Sequence, residues 1–195
     1  MRRTSPRSIA AACYERWLRR GRALEIDASR PAVVFAPHPD DETLGCGGTI
    51  ARMRKAGVAV RIVVMTDGSC SHRQLVPEEA LARLRAREVV RACGKLGVDS
   101  RSLHLLAFPD GKLRACEDLA IPRVAQILDE HQPGDVFIPY RNDAQPDHIA
   151  TTAIVETAIA RSRHQVRVYE YPVWFLHQWP FVNFDSAAGG QRVSN

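Results

Sequence analysis

Seven consecutive residues, Pro37-His38-Pro39-Asp40-Asp41-Glu42-Thr43, place an imidazole and adjacent carboxylates directly after the apolar run Ala32-Val33-Val34-Phe35-Ala36. Far downstream, Gln145-Pro146-Asp147-His148 supplies a second imidazole shortly after another apolar run, Asp135–Pro139. Histidine and carboxylate brought together from two distant loops are the raw material of a catalytic zinc site, in which three protein ligands leave a fourth position for water. His38 and Asp41 are close enough in sequence to chelate one ion from a single loop, and His148 completes a facial set. Asp40 is then spare. A carboxylate beside water activated by a cation can take its proton as general base. The chemistry this pattern points to is metal-dependent hydrolysis.

Other reactive residues lack such company. Glu42 and Thr43 fall at the start of a helix, where capping and pairing with the helix dipole account for both. His72, His104, His131 and His164 read as structural or exposed, and His177 sits in the aromatic stretch Trp174-Phe175-Leu176-His177-Gln178-Trp179. Gly45-Cys46-Gly47-Gly48, with Asp67 further on, invites a dinucleotide-binding reading. The third glycine of that fingerprint is missing, however, and the glycines begin well beyond the strand end. No GxSxG elbow and no serine or cysteine triad competes.

The elements that must position these residues follow from periodicity. Apolar, β-branched runs at 32–36, 58–65, 102–108, 135–139 and 165–171 read as strands. Helical patterns fill 44–56, 77–96, 119–131 and 147–161, the first two stopping at Gly57 and Gly97. Strand–helix alternation at this spacing predicts right-handed βαβ units. The expected fold is a single Rossmann-like α/β domain whose mostly parallel, doubly wound sheet is flanked by helices. Both chemical clusters fall just past strand carboxyl ends, where open α/β sheets bind ligands.

Composition narrows the class. The chain has 195 residues, 45% of them hydrophobic and 25% charged, which suits one domain with its own core. No run approaches the roughly 20 apolar residues of a transmembrane helix, and Met1-Arg2-Arg3-Thr4-Ser5-Pro6-Arg7 is followed by no signal-peptide core. Five cysteines without CxxC spacing read as free thiols in a reducing compartment, so the expected localisation is cytoplasmic. Residues 1–30 hold eight arginines against three acids, which accounts for the whole net charge of +5. The expected division is therefore a basic, helical N-terminal extension over 1–30 and a catalytic domain over 31–195. Nucleic-acid binding is not expected, because neither a basic surface interleaved with aromatics nor a known module is present. Peripheral contact with an anionic membrane through the basic segment is the alternative to a solvated helix packed on the domain.

Pro-His-Pro-Asp-Asp-Glu-Thr after the first strand, with Pro-Asp-His downstream, resembles the PIG-L/LmbE-like family of zinc-dependent N-acetylglucosaminyl de-N-acetylases. The likeness runs over 31–171 and takes in Met65-Thr66-Asp67-Gly68, Arg85-Ala86-Arg87-Glu88, Leu96-Gly97-Val98 and Phe108-Pro109-Asp110-Gly111. It implies that His38, Asp41 and His148 hold Zn2+ (Fe2+ suits the same donors) and that Asp40 is the general base. Arg85, and more weakly Asp110, would hold the sugar. The implied reaction is removal of the N-acetyl group from a GlcNAc-containing small molecule, glycolipid or glycosylated natural product, releasing acetate and a free amine.

Two departures from the family pattern bear on that expectation. The family usually has histidine where this chain has Gln145, and glutamine donates a hydrogen bond but supplies no proton near neutral pH. Asp147, which would orient that histidine, lacks its usual partner. The expected consequence is a slower enzyme in which Asp40 returns the proton and Gln145 keeps part of the oxyanion role. The alternatives are a catalytically impaired metal- and sugar-binding protein and an amidase of a thiol–sugar conjugate. The chain is also short after the last strand, which implies an open pocket or one completed by a second subunit in a homo-oligomer.

Overall fold

A computed structural model describes residues 24–71, 74–162 and 165–174, with Arg16 and the backbone of Arg192–Val193. The basic segment up to residue 23 (apart from Arg16), His72, His164 and His177 lie outside the described residues. Five parallel strands, β1 (Ala32–Ala36), β2 (Val60–Thr66), β3 (Leu103–Phe108), β4 (Asp135–Pro139) and β5 (Arg167–Tyr171), form the sheet, and a two-residue β6 (Arg192–Val193) adds antiparallel to β5. The order is β3-β2-β1-β4-β5-β6. The chain winds outward from β1 in one direction and then, from β4, in the other. The reversal opens a crevice between the carboxyl ends of β1 and β4, the place where doubly wound sheets hold ligands.

β1 is buried along its whole length, as a central parallel strand covered on both faces must be. Its residues alternate between two cores. Val33 and Phe35 join the apolar faces of α3 (Glu117–His131) and α4 (Pro146–Arg161), while Ala32, Val34 and Ala36 meet α1 (Asp41–Lys55) and α2 (Glu78–Lys95). Residues 24–30 are not detached from this body. Leu24 and Ile26 pack against the second core, and Arg30 joins Arg167 on the carboxylate of Asp135.

Three local features aim the loops at the crevice. Gly45 in the first turns of α1 faces the ring of Tyr171, which a Cβ there would meet at 2.2 Å. Tyr171 in turn donates its hydroxyl to the carbonyl of Phe35 at 2.6 Å, so α1 lies flush against β5 beside the end of β1. A register shift between Val64 and Thr66, with Ala107 in the left-handed region (φ 53°), bends the end of β3. That bend delivers the 109–113 loop toward the same crevice. Thr66 donates its hydroxyl to the carbonyl of Pro37 at 2.8 Å, tying the β2 end to the loop after β1.

Element limits differ from the sequence reading by one to three residues except at β1 and β4, which agree. α1 begins at Asp41 rather than Leu44, because Asp41 and Glu42 already occupy its first turn. Neither Glu42 nor Thr43 caps that helix. Glu42 is fully buried, accepts the hydroxyl of Thr43 at 2.6 Å, and has its carboxyl pushed up by burial.

Candidate metal centre and active site

The loop from β1 into α1 carries His38, Asp40 and Asp41, and the N-terminus of α4 carries His148. Asp41 Oδ2 is the meeting point. It accepts the backbone N–H of His38 at 2.9 Å, lies 3.2 Å from His38 Nδ1, and lies 3.2 Å from His148 Nε2. The two imidazole centroids are 5.3 Å apart. One donor atom from each of the three residues falls within 4.8 Å of the other two, the span of a single cation's ligand shell. His148 is fully buried, yet among the described residues its Nε2 has no hydrogen-bond partner, the contact with Asp41 being outside hydrogen-bond geometry. A buried imidazole nitrogen turned on a carboxylate and a second imidazole without bonding either makes a candidate ligand set. Two histidines and one carboxylate suit Zn2+ or another borderline divalent ion.

The electrostatics agree. Burial lowers the basicity of His38, but the carboxylates of Asp110, Asp147 and Asp41 outweigh it and raise its pKa to about 11. His148 behaves alike: burial lowers it, and the carboxylates of Asp143 and Asp41 bring it above the ordinary value. Asp41 is pushed up by burial and pulled further down by His148 and His38, ending well below the usual carboxylate range. The pocket therefore favours positive charge at the two imidazoles, and a cation placed there would have to displace protons.

Asp143 is a site residue that the sequence reading missed. Its side chain is completely buried, and Oδ2 accepts from His148 Nδ1 at 3.1 Å and from the backbone N–H of Trp174 at 3.3 Å. That bond favours a proton on Nδ1 and would leave Nε2 for a cation, as in the carboxylate–histidine arrangement of metal sites. Its only signal in the sequence is an acid in the turn after β4, five residues before His148.

Asp40 projects beside this centre and is half exposed. Arg85, from α2, binds its Oδ2 at 2.7 Å and the carbonyl of Pro39 at 3.1 Å, while its other terminal nitrogen binds the carbonyl of Gly68 at 3.1 Å and Ser71 Oγ at 3.4 Å. Burial raises the Asp40 pKa, with Arg85 opposing and Asp41 reinforcing. Gly68 makes room for this brace: its φ is +65°, and a Cβ would lie 2.8 Å from both Arg85 Nη1 and Pro39 Cδ.

Asp110 and Asp147 lie on the far side of His38, 3.3 and 3.4 Å from its Nε2. Asp147 does have partners despite the loss of a histidine at position 145. It accepts the backbone N–H groups of Gly111 at 2.7 Å and Leu113 at 3.2 Å. Gln145 holds the N-cap position of α4, partly exposed, and its side chain makes no capping bond. Asp67, the acid of the rejected dinucleotide reading, is tied to the backbone N–H groups of Ser69 and Asp110. Among the described residues Cys46 and Cys93 are buried free thiols. Burial pushes Cys93 up to about 12 and Cys46 further still, as inert core thiols.

Comparison with known proteins supplies the remaining context. The family model described as "PIG-L: GlcNAc-PI de-N-acetylase" matches residues 33–159. A Bacillus cereus protein described as a probable N-acetyl-alpha-D-glucosaminyl L-malate deacetylase 2 is 28% identical over 144 residues, covering 71% of this chain and 64% of its own. A Mycobacterium 1D-myo-inositol 2-acetamido-2-deoxy-alpha-D-glucopyranoside deacetylase is 32% identical over 171 residues, covering 73% and 54%. The chain thus spans under two thirds of the length of these curated relatives. Among solved structures, the N,N'-diacetylchitobiose deacetylase of Pyrococcus horikoshii superimposes with a TM-score of 0.63 at 24% identity, over 83% of this chain and 68% of that one, a likeness of fold.

Proposed function

The chain belongs to the GlcNAc-PI de-N-acetylase (PIG-L) family, and on that premise we propose that it is a metal-dependent hydrolase removing the N-acetyl group of a GlcNAc-containing molecule. The carrying observation is the convergence of His38, Asp41 and His148 around one point, with the half-exposed carboxylate of Asp40 beside it. The deacetylase names of the two relatives support the same reading. Zn2+ is the proposed ion. When bound it supplies a Lewis acid and lowers the pKa of water toward about 7.

The protein's own groups do the rest. Asp40 accepts the proton of the attacking water, and its raised pKa moves it toward the range where one carboxyl works both as base and as acid. The Arg85 fork holds that carboxylate against the loop that carries His38, so the base and the ligands keep one geometry. As the acetamide carbonyl becomes tetrahedral, the Gln145 amide donates a hydrogen bond to its oxygen. The proton then passes from Asp40 to the departing nitrogen, and acetate and a free amine result.

Gln145 favours one alternative, a protein that binds metal and sugar without turnover. The deciding experiment measures acetate release from a panel of GlcNAc conjugates by zinc-loaded protein. Asp40→Ala is expected to lower turnover by about 10²–10⁴-fold, the usual contribution of proton transfer. Stoichiometric zinc with no acetate from any conjugate would support the silent binder.

A further inference from the structure

Two imidazoles meet at the amino end of the sheet, opposite the crevice. His104 is the second residue of β3, the strand at one edge of the sheet, and His131 is the last residue of α3. The two positions are 27 residues apart in the chain, and both side chains are half-exposed. We propose that His104 and His131 form a bidentate site for an imidazole-seeking divalent transition ion, Zn2+, Ni2+ or Cu2+. This site stands independently of the centre at His38, Asp41 and His148 and of any reaction there.

Distance and ring placement both fit chelation. Two nitrogens held at roughly 2.0–2.1 Å by one tetrahedral ion stand about 3.3–3.4 Å apart, with ring centroids about 5.2 Å apart. The Nε2 atoms of His104 and His131 are 3.3 Å apart, and the centroids 5.3 Å apart with the planes at 49°. A straight N–H···N bond of that length would set the rings end-on, with centroids about 5.6 Å apart. The shorter spacing means that the ring axes bend away from the N···N line, as they do when two lone pairs converge on one ion. Two neutral rings with lone pairs face to face repel, so the metal-free pair shares one proton across the gap. An ion takes the place of that proton.

The surroundings keep the lone pairs available. Burial first, then the charge of Arg61, lowers the basicity of both rings, with Glu130 opposing. Neither ring therefore has to shed a charge-bearing proton at neutral pH before it can ligate. Arg61 also opposes a bound cation. Its Nη1 is turned to Ser102 Oγ at 3.4 Å, however, and His131 lies in the last turn of α3, where the helix dipole favours positive charge. Among the described residues no carboxylate joins these two nitrogens in a three-donor group. Water completes the shell, so the site is open and exchangeable. Its nitrogen donors select against Ca2+ and Mg2+, which take oxygen ligands.

Chelation by two rings has a signature that separate imidazoles lack. Zn2+ and Ni2+ binding is measured by calorimetry and equilibrium dialysis for wild type, His104→Gln, His131→Gln and the double variant. Wild type should bind one more ion per chain than the double variant, whether or not the crevice also holds one. Either single variant should weaken that ion by about 10²-fold or more, the usual gain from joining two binding groups in one site. The double variant should add little to that loss. In wild type, ring 1H–15N spectra titrated with Zn2+ should show His104 and His131 shifting together at one ion-to-protein ratio, and Ca2+ should shift neither.

Equal metal binding by wild type and the double variant would overturn the site. So would a single variant that binds as tightly as wild type, or rings that respond to Zn2+ separately. The ring spectra need no substitution, so they decide even if a variant fails to fold. A wild type that binds a single ion, absent from the double variant, would sink the centre at His38 and leave the pair intact.

Discussion

At the scale of single residues, the site depends on which atom of each histidine holds its proton. His148 is buried on all sides, so its Nδ1–H has Asp143 as its acceptor and no water to replace it. Asp143→Ala leaves that donor unpaired and frees the ring to take the wrong tautomer. The expected result is a loss of about 10–100-fold in zinc affinity, read by competition with a chromophoric chelator. pH gives a second test. His38 has its pKa raised to about 11, which favours extra protons on the metal-free protein at neutral pH, and the carboxylates of Asp143 and Asp41 shift His148 in the same direction. A cation must displace those protons. Affinity should therefore strengthen as pH rises, with protons released on binding, and calorimetry in buffers of different ionisation heat measures that release. Metal affinity independent of pH between 6 and 8 (a window of roughly the histidine range) would contradict the assignment of these two ligands.

At the scale of elements, the loops after β1 and β2 are braced through Gly68. An alanine there takes on left-handed backbone, a cost of about 1–2 kcal/mol, and places its Cβ 2.8 Å from Arg85 Nη1 and Pro39 Cδ. Gly68→Ala should lower the melting temperature and loosen Arg85 from Asp40, visible as a fall in kcat larger than any change in zinc affinity. At the opposite end of the sheet, His104 at the start of β3 meets His131 in the last turn of α3, Nε2 to Nε2 at 3.3 Å. Burial first, then the charge of Arg61, lowers both pKa values. A pKa lower in the folded than in the unfolded state means that neutral imidazole favours folding. That contribution is present above the unfolded histidine value near 6.5 and is lost as pH falls through the lower folded values. Wild type should thus lose melting temperature on acidification more steeply than His104→Gln/His131→Gln, as paired thermal melts would show.

At the scale of the whole molecule, what could be read in advance was what is local in sequence. β1 and β4 were legible because fully buried parallel strands are written as continuous apolar runs between turn residues, and they fix where the two clusters emerge. The convergence of His38, Asp41 and His148 followed from that placement, since loops leaving neighbouring strands at the switch point have little choice but to meet. Asp143 and the partners of Asp147 were not legible. Their roles depend on how the 109–113 loop and the first turn of α4 fold against His38 and His148, contacts made in space between distant stretches. Arg85 illustrates the same limit. Its residue type and family position suggested a sugar ligand, but no local pattern announced the bonds its terminal nitrogens make to Pro39, Asp40, Gly68 and Ser71. Helix starts shifted where acidic first turns, as in α1, had been counted as loop. No helix among the described residues is long and apolar enough to cross a membrane.

The measurement that bears most directly on the central claim is acetate release by zinc-loaded wild type, Asp40→Ala and His148→Ala on one set of GlcNAc conjugates, with bound zinc quantified in each. Wild type should turn over. Asp40→Ala should keep its zinc and lose turnover by about 10²–10⁴-fold, and His148→Ala should lose both. Turnover in Asp40→Ala equal to wild type, or full zinc occupancy in His148→Ala, would contradict the assignment of base and ligands.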